Sequence, residues 1–160
     1  MEIRHATNTD HASIAKIIVP IFRAGETYTI EPEISETDAI AYWMAPDKTT
    51  FVAQIGEEVL GTYYIKANQA GGGSHVCNCG YMTSEVATGR GIASAMCRHA
   101  LNVARSLGFE AMQFNFVVGN NLSAIRLWKK FGFDVVGKLP AAFKHPAEGY
   151  VDALVMYRAL

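Results

Sequence analysis

Apolar residues recur along this chain with two periods, and the change from one to the other divides it in two. Glu2-Ile3-Arg4-His5-Ala6 alternates and predicts a short strand. Ile14, Ile17, Ile18 and Ile21 share one side of a helix that Thr7, Asn8 or Thr9 can cap. Pro20 is expected to break or kink that helix, because proline donates no hydrogen bond and clashes one turn back. Residues 25–32 read as loop. Ser35 can cap a second, short helix whose first turn carries Glu36 and Asp38, where the helix dipole favours negative charge, and which should close before Pro46. Residues 49–54 and 59–66 predict strands joined by a hairpin connection at Ile55-Gly56-Glu57-Glu58. Residues 68–74, with three consecutive glycines, read as a flexible link.

Beyond the link the pattern becomes strand–helix alternation. A strand over residues 75–85 leads into a helix over 91–107, with Ile92, Met96, Ala100, Val103 and Leu107 on one stripe. Residues 111–118 form a strongly apolar strand, and Asn120 or Asn121 caps a helix with Leu122, Ile125 and Trp128 inward, ended by Gly132. Residues 133–136 and 150–157 predict two closing strands, with 140–149 as the loop between them. The order describes one α/β (α+β) domain over 1–160: a mixed sheet with helices on both faces.

At 160 residues, half of them hydrophobic and 18% charged, the chain is one ordinary domain with no disorder signature. A formal net charge of −1 argues against a nucleic-acid partner, whose domain would carry a basic excess. No run approaches the roughly 18 apolar residues of a membrane span, so no membrane partner is expected. The polar start Met1-Glu2-Ile3-Arg4-His5 is unlike a signal peptide, and Cys77, Cys79 and Cys97 cannot all pair. Reduced thiols and a cytoplasmic location are the simplest expectation. Cys77 and Cys79 lack two further ligands, and no metal is expected.

The candidate chemistry centres on Thr88-Gly89-Arg90-Gly91-Ile92-Ala93-Ser94, a Gly-rich turn between a strand and a helix. Such a turn gathers free N–H groups at the positive end of a helix dipole, which suits a phosphate or pyrophosphate. A P-loop is excluded, since Ile92 and Ala93 stand where lysine and a hydroxyl residue are needed. A dinucleotide fold would want glycine or alanine at Ser94 and an acid closing the next strand, whereas Glu110 opens it.

The turn resembles the pyrophosphate loop Q/R-x-x-G-x-G/A of the GNAT superfamily of acyl-CoA-dependent N-acyltransferases. About thirty residues on, Asn121-Leu122-Ser123-Ala124-Ile125-Arg126-Leu127-Trp128-Lys129-Lys130-Phe131-Gly132-Phe133 resembles that superfamily's N-x-x-A-x-x-L-Y-x-x-x-G-F helix. The resemblance implies a mixed, mostly antiparallel twisted sheet of six to seven strands, splayed between the fourth and fifth. It also implies acetyl-CoA as co-substrate and allows a homodimer. It assigns cofactor binding to Met82 and Thr83 at the splay, to Thr88, Gly89, Arg90, Gly91, Ile92, Ala93 and Ser94, and to Asn120, Asn121 and Ser123. Lys129 and Lys130 either meet the adenosine 3′-phosphate or form a solvated helix face. Thr88 replaces the usual Gln or Arg at a position that acts mainly through its backbone. Trp128 replaces the tyrosine that often protonates the departing thiolate; an indole cannot do so, and an apolar anchor is the simpler reading.

Residues 75–81, 113–117 and 149–153 look more narrowly like the branch holding azetidine-2-carboxylate N-acetyltransferases, and residues 26–32 look like phosphinothricin-type acetyltransferases. That likeness implies that Asn78 holds the reacting amine, with Asn115 as a second pocket asparagine. Glu26, Tyr28 and Tyr150 become candidates for substrate selection, with mid-strand or surface roles as the plain alternatives. The expected reaction is acetyl transfer from acetyl-CoA to a small-molecule amine, an amino or imino acid, by direct attack on the thioester. A free amino acid's amine has a pKa near lysine's ~10.4, so its deprotonation at pH 7 costs roughly 4–5 kcal/mol. Good orientation can offset that cost, being worth ~7–11 kcal/mol. Peptide or protein N-acetylation and a catalytically silent acyl-CoA sensor stay open as alternatives, the missing tyrosine favouring the sensor.

Overall fold

Residues Met1–Leu160 are described by a computed structural model. The alternating stretches become β1 (Glu2–His5), β2 (Thr49–Ile55) and β3 (Glu58–Ala67), each antiparallel to the next. Next come β4 (Val76–Thr83), β5 (Ala111–Val118), β6 (Asp134–His145) and β7 (Gly149–Ala159), and the seven strands lie in the order β1-β2-β3-β4-β5-β7-β6. The β4–β5 pair is parallel and every other neighbour antiparallel. This is the mixed, open sheet expected, with helices α1 (His11–Ala24), α2 (Glu36–Trp43), α3 (Ile92–Ser106) and α4 (Leu122–Lys130).

Strand alternation sorts the core into two layers. Phe51, Tyr63 and Ile65 point to the side packed by α3 and α4, with Met96, Cys97, Leu101 and Trp128. Their neighbours Val52 and Tyr64 point to the other side, with Ile14, Ile18, Phe22 and Trp43 of α1 and α2. Opposite faces of one strand therefore feed opposite layers, as a period of two requires. A buried relay ties α2 to the sheet: Trp43 Nε1 donates to Thr62 Oγ1 at 2.9 Å, and Thr62 Oγ1 donates to the Phe51 carbonyl at 2.9 Å. Ser35 caps α2 as expected, its Oγ accepting from Asp38 N at 3.0 Å.

Several expectations need correction. α1 runs unbroken through Pro20, which lies on its exposed side while Ile17, Ile18, Val19 and Phe22 are buried. Burial of the opposite face outweighs one missing hydrogen bond. The start of α1 is built by a short 3₁₀ turn, Asn8–Asp10, closed by a reciprocal Thr7–Asp10 capping box. The 68–74 link contains a 3₁₀ turn at Gly71–Gly73. Residues 140–145 are strand, not loop. Pro140 fits there because β6 is an edge strand, where a missing donor breaks no interior ladder, and the register shifts between Leu139 and Phe143 absorb the strain. Leu107 and Leu122, expected inward, are 55% and 58% exposed because each falls at a helix terminus where the apolar stripe has turned out of the core.

Candidate active site

β4 and β5 pair at Val76–Ala111 and Cys77–Met112 and then separate. Val76 uses its carbonyl toward β3, so Cys79, Tyr81 and Thr83, one residue out of phase, turn their backbone groups toward the gap. A cleft of about 500 Å³ opens there. Asn78 spans its narrow end: its Nδ2 donates to the Gln113 carbonyl of β5 at 2.9 Å. A carbonyl accepts only from the amide nitrogen, so this bond fixes the flip of Asn78, and no group of the chain donates to the Oδ1 of this cleft-lining residue. Asn115 lies on the facing wall, where β5 shifts register between Phe114 and Val117. It is exposed, and its amide belongs to a surface chain: Gln113 Nε2 donates to its Oδ1 at 2.8 Å and its Nδ2 donates to Asn68 Oδ1 at 2.6 Å.

Tyr28 lines the same cleft and donates its hydroxyl to the Tyr81 carbonyl at 2.9 Å, one of the groups turned into the gap. Burial pushes its phenol far above the ordinary range, so it stays a neutral donor. Glu26 and Glu85 are the charged side chains of the lining, and no lysine or arginine joins them. Met82 and Thr83 form part of the wall, Met82 with its side chain in the α1–α2 layer.

After β4 a 3₁₀ turn, Glu85–Ala87, leads to Gly89 and Gly91, both left-handed at φ 77° and 76°. The left-handed angles, not crowding, are what favour glycine here, since a Cβ at either position would meet nothing within 4 Å. The N–H groups of Gly89, Gly91, Ile92, Ala93 and Ser94 have no backbone acceptor, at the N-terminus of the fifteen-residue α3. Ile92 contributes only that N–H, since its side chain is 2% exposed and packs into the core. Thr88 and Arg90 are exposed. This is a donor array of the kind a pyrophosphate fits, next to strand edges that an amide-bearing pantetheine arm fits.

At the N-terminus of α4, Asn121 Oδ1 accepts from Ala124 N at 3.2 Å and from Ser123 Oγ at 3.0 Å, while Asn121 also lines the cleft. The remaining candidates lie elsewhere. Asn120 and Tyr150 border a separate shallow pocket, with Tyr150 70% exposed, and Lys129 and Lys130 are exposed on the last turn of α4.

Comparison with known proteins agrees with this geometry. Residues 12–133 match the Acetyltransferase (GNAT) family. The chain belongs to the GNAT acetyltransferase family. It is 30% identical over 148 residues to the N-acetyltransferase aca1 of Schizosaccharomyces pombe, covering 82% of this chain and 71% of that protein. Its fold is similar to a GCN5-related N-acetyltransferase from Kribbella flavida, with a TM-score of 0.95 and 39% identity over 99% of this chain and 97% of the other. It also superposes on a phosphinothricin acetyltransferase from Sinorhizobium meliloti in complex with AcCoA, with a TM-score of 0.86, 23% identity, and 99% and 88% coverage.

In this acetyltransferase Trp128 is a packed wall. It is 8% exposed and its ring lies 5.0 Å from Tyr81 and 4.8 Å from Phe114. Cys79 also lines the cleft, but burial raises its thiol well above the usual range and favours the neutral form. The sequence reading missed Tyr64 and Tyr42, both in the lining. Tyr64 stands opposite Gly80 across the β3–β4 ladder, and its ring occupies the space a side chain there would take: a Cβ on Gly80 would come 2.6 Å from Tyr64 Cε1 and 3.0 Å from its hydroxyl. Only the strand register brings these two together, so the signal was a glycine inside a strand, which marks a close approach.

Proposed function

We propose that this GNAT acetyltransferase transfers acetyl from acetyl-CoA to the amine of a small molecule, an amino or imino acid. The observation that carries the reading is the Asn78 clamp, a cleft-lining amide locked by the Gln113 carbonyl through its nitrogen, which leaves its oxygen without a partner in the chain. Acetyl-CoA supplies the activated acetyl thioester. The free N–H groups from Gly89 to Ser94 hold its pyrophosphate, and Met82 and Thr83 line the arm's path, a backbone N–H of that pair serving the thioester oxygen. Asn78 Oδ1 accepts an N–H of the acceptor amine and orients its lone pair. An amide does not titrate, so water carries the ammonium proton out of the cleft, past the Glu26 carboxylate at its wall. As the N–C bond forms and the C–S bond breaks, the second proton shed by the nitrogen passes through water to the departing CoA thiolate. Tyr28 fixes the loop after α1 against Tyr81 and so shapes the acceptor end.

Thiol release from acetyl-CoA, measured against free amino acids, imino acids, carboxylate-free amines and short peptides, tests this. Release with amino or imino acids supports it; turnover of peptides alone, or of none of these, overturns it. The burial of Trp128 where the family often has tyrosine favours a second reading, a silent acyl-CoA sensor. Tight acetyl-CoA binding with no transfer to any amine would select that one.

A further inference from the structure

Behind the acceptor end of the cleft sits a cation that the lining itself lacks. Lys48, just before β2, places its Nζ 3.5 Å from the centroid of the Tyr42 ring and 4.5 Å from that of Tyr64, and donates to the Tyr42 carbonyl. Both rings line the cleft. Tyr28 has its hydroxyl committed to a backbone carbonyl, whereas Tyr64 and Tyr42 have each other as side-chain hydrogen-bonding neighbours and no backbone carbonyl takes either hydroxyl. Tyr64 lies across Gly80, two residues along β4 from Asn78 and on the same strand face. Two residues of strand span roughly 7 Å, which an amine, its α-carbon, a carboxylate and a hydrogen bond at each end can bridge.

We infer that the phenol hydroxyls of Tyr64 and Tyr42, with the Lys48 ammonium stacked behind their rings, form the carboxylate subsite of the acceptor pocket. A cation on the face of a phenol draws electron density from the ring and makes its O–H a stronger donor, and it leaves a positive potential where the carboxylate lies. Burial keeps Tyr64 protonated, with Tyr28 and Tyr42 as further contributors, so the hydroxyl donates at every physiological pH. Lys48 is a positioning residue acting through these rings. The cleft is then two-ended, with Asn78 and Glu26 for the ammonium side of a zwitterion and the Tyr64–Tyr42–Lys48 group for the acid.

The subsite rests on the amino- or imino-acid reading, and its test separates the two. For each acid that turns over in the thiol-release panel, its decarboxylated amine is the control. Tyr64→Phe and Lys48→Met should each raise KM for the acid about tenfold at nearly constant kcat, leave KM for the decarboxylated amine where it was, and Lys48→Arg should restore most of the loss. A second readout is inhibition by the acid's nitrogen-free analogue, whose carboxylate stays ionised across the range used. Burial lowers Lys48 to about 8; Asp47 beside it works against that, and the charge of Lys66, which pairs with Asp47, adds to the lowering. The cation is therefore present below pH 8 and lost above it, so that inhibitor should weaken between pH 7 and 9 in the native enzyme and not with arginine at 48. If acids turn over but the variants move acid and amine equally, or neither, the subsite is wrong while the proposed function stands. If only carboxylate-free amines turn over, or nothing does, both fall.

Discussion

In the proposed reaction Asn78 has two jobs for its two side-chain polar atoms, and replacing it should show both. Asn78→Ala removes the amine acceptor and the strand clamp together, so kcat/KM should fall at least about tenfold and stability by about 1 kcal/mol. Steady-state kinetics and urea unfolding read the two losses separately; an unchanged kcat/KM would end its role in catalysis. Trp128 should behave in the opposite way. Its ring packs on Tyr81 and Phe114, so Trp128→Ala should cost about 3–5 kcal/mol of stability, while Trp128→Phe should keep kcat nearly unchanged. A collapse of kcat with phenylalanine would show that the indole N–H takes part in the reaction.

The Gly-rich turn before α3, proposed to hold the pyrophosphate, depends on backbone shape. Gly91→Ala forces a side chain into a left-handed conformation at φ 76°, at a cost of roughly 1–2 kcal/mol, and should weaken acetyl-CoA binding in calorimetry more than it alters the acceptor's KM. The corner between β1 and α1 is held by charge. Arg4 meets Asp10 with two hydrogen bonds of 2.8 Å, and that contact, with Thr7, holds the Asp10 carboxyl down at about 2. A lowered carboxylate contributes stability above its unfolded value near 3.8 and loses it as pH falls toward 2, a contribution of about 2 kcal/mol at neutral pH. In Asp10→Asn the acid limb of an unfolding curve should flatten by that amount. The elements were readable because amphipathic periods and caps such as Ser35 are local. Pro20 and Pro140 misled because what tolerates a proline is its position, an exposed helix side or a sheet edge, and position is not local. Asn78 was readable through its likeness to a family; Tyr64, Gly80 and Lys48 were not, because register and side-chain stacking bring them together across long stretches of chain.

The sheet is continuous in name but narrow at its middle. Between β4 and β5 it has two paired positions and the Asn78 side-chain bond, whereas β3–β4 and β6–β7 pair along most of their lengths. One core layer crosses this line, with Met112, Phe114 and Met156 packed beside Tyr63 and Cys79, while the α1–α2 layer stops at Met82 of β4. A molecule joined so lightly at its midline should open there first, as two cooperative units. Native-state hydrogen exchange should find the amides at the seam, Cys77, Glu110 and Met112, released well below the global unfolding energy, while those of Cys79, Tyr81 and Thr83, which face the gap, exchange freely until acetyl-CoA slows them. Uniform protection across the sheet without ligand would refute this. On the proposed function the co-substrate would be a guest strand: a non-peptide chain whose amides supply the rungs the protein left out, so that binding and completing the sheet become a single event.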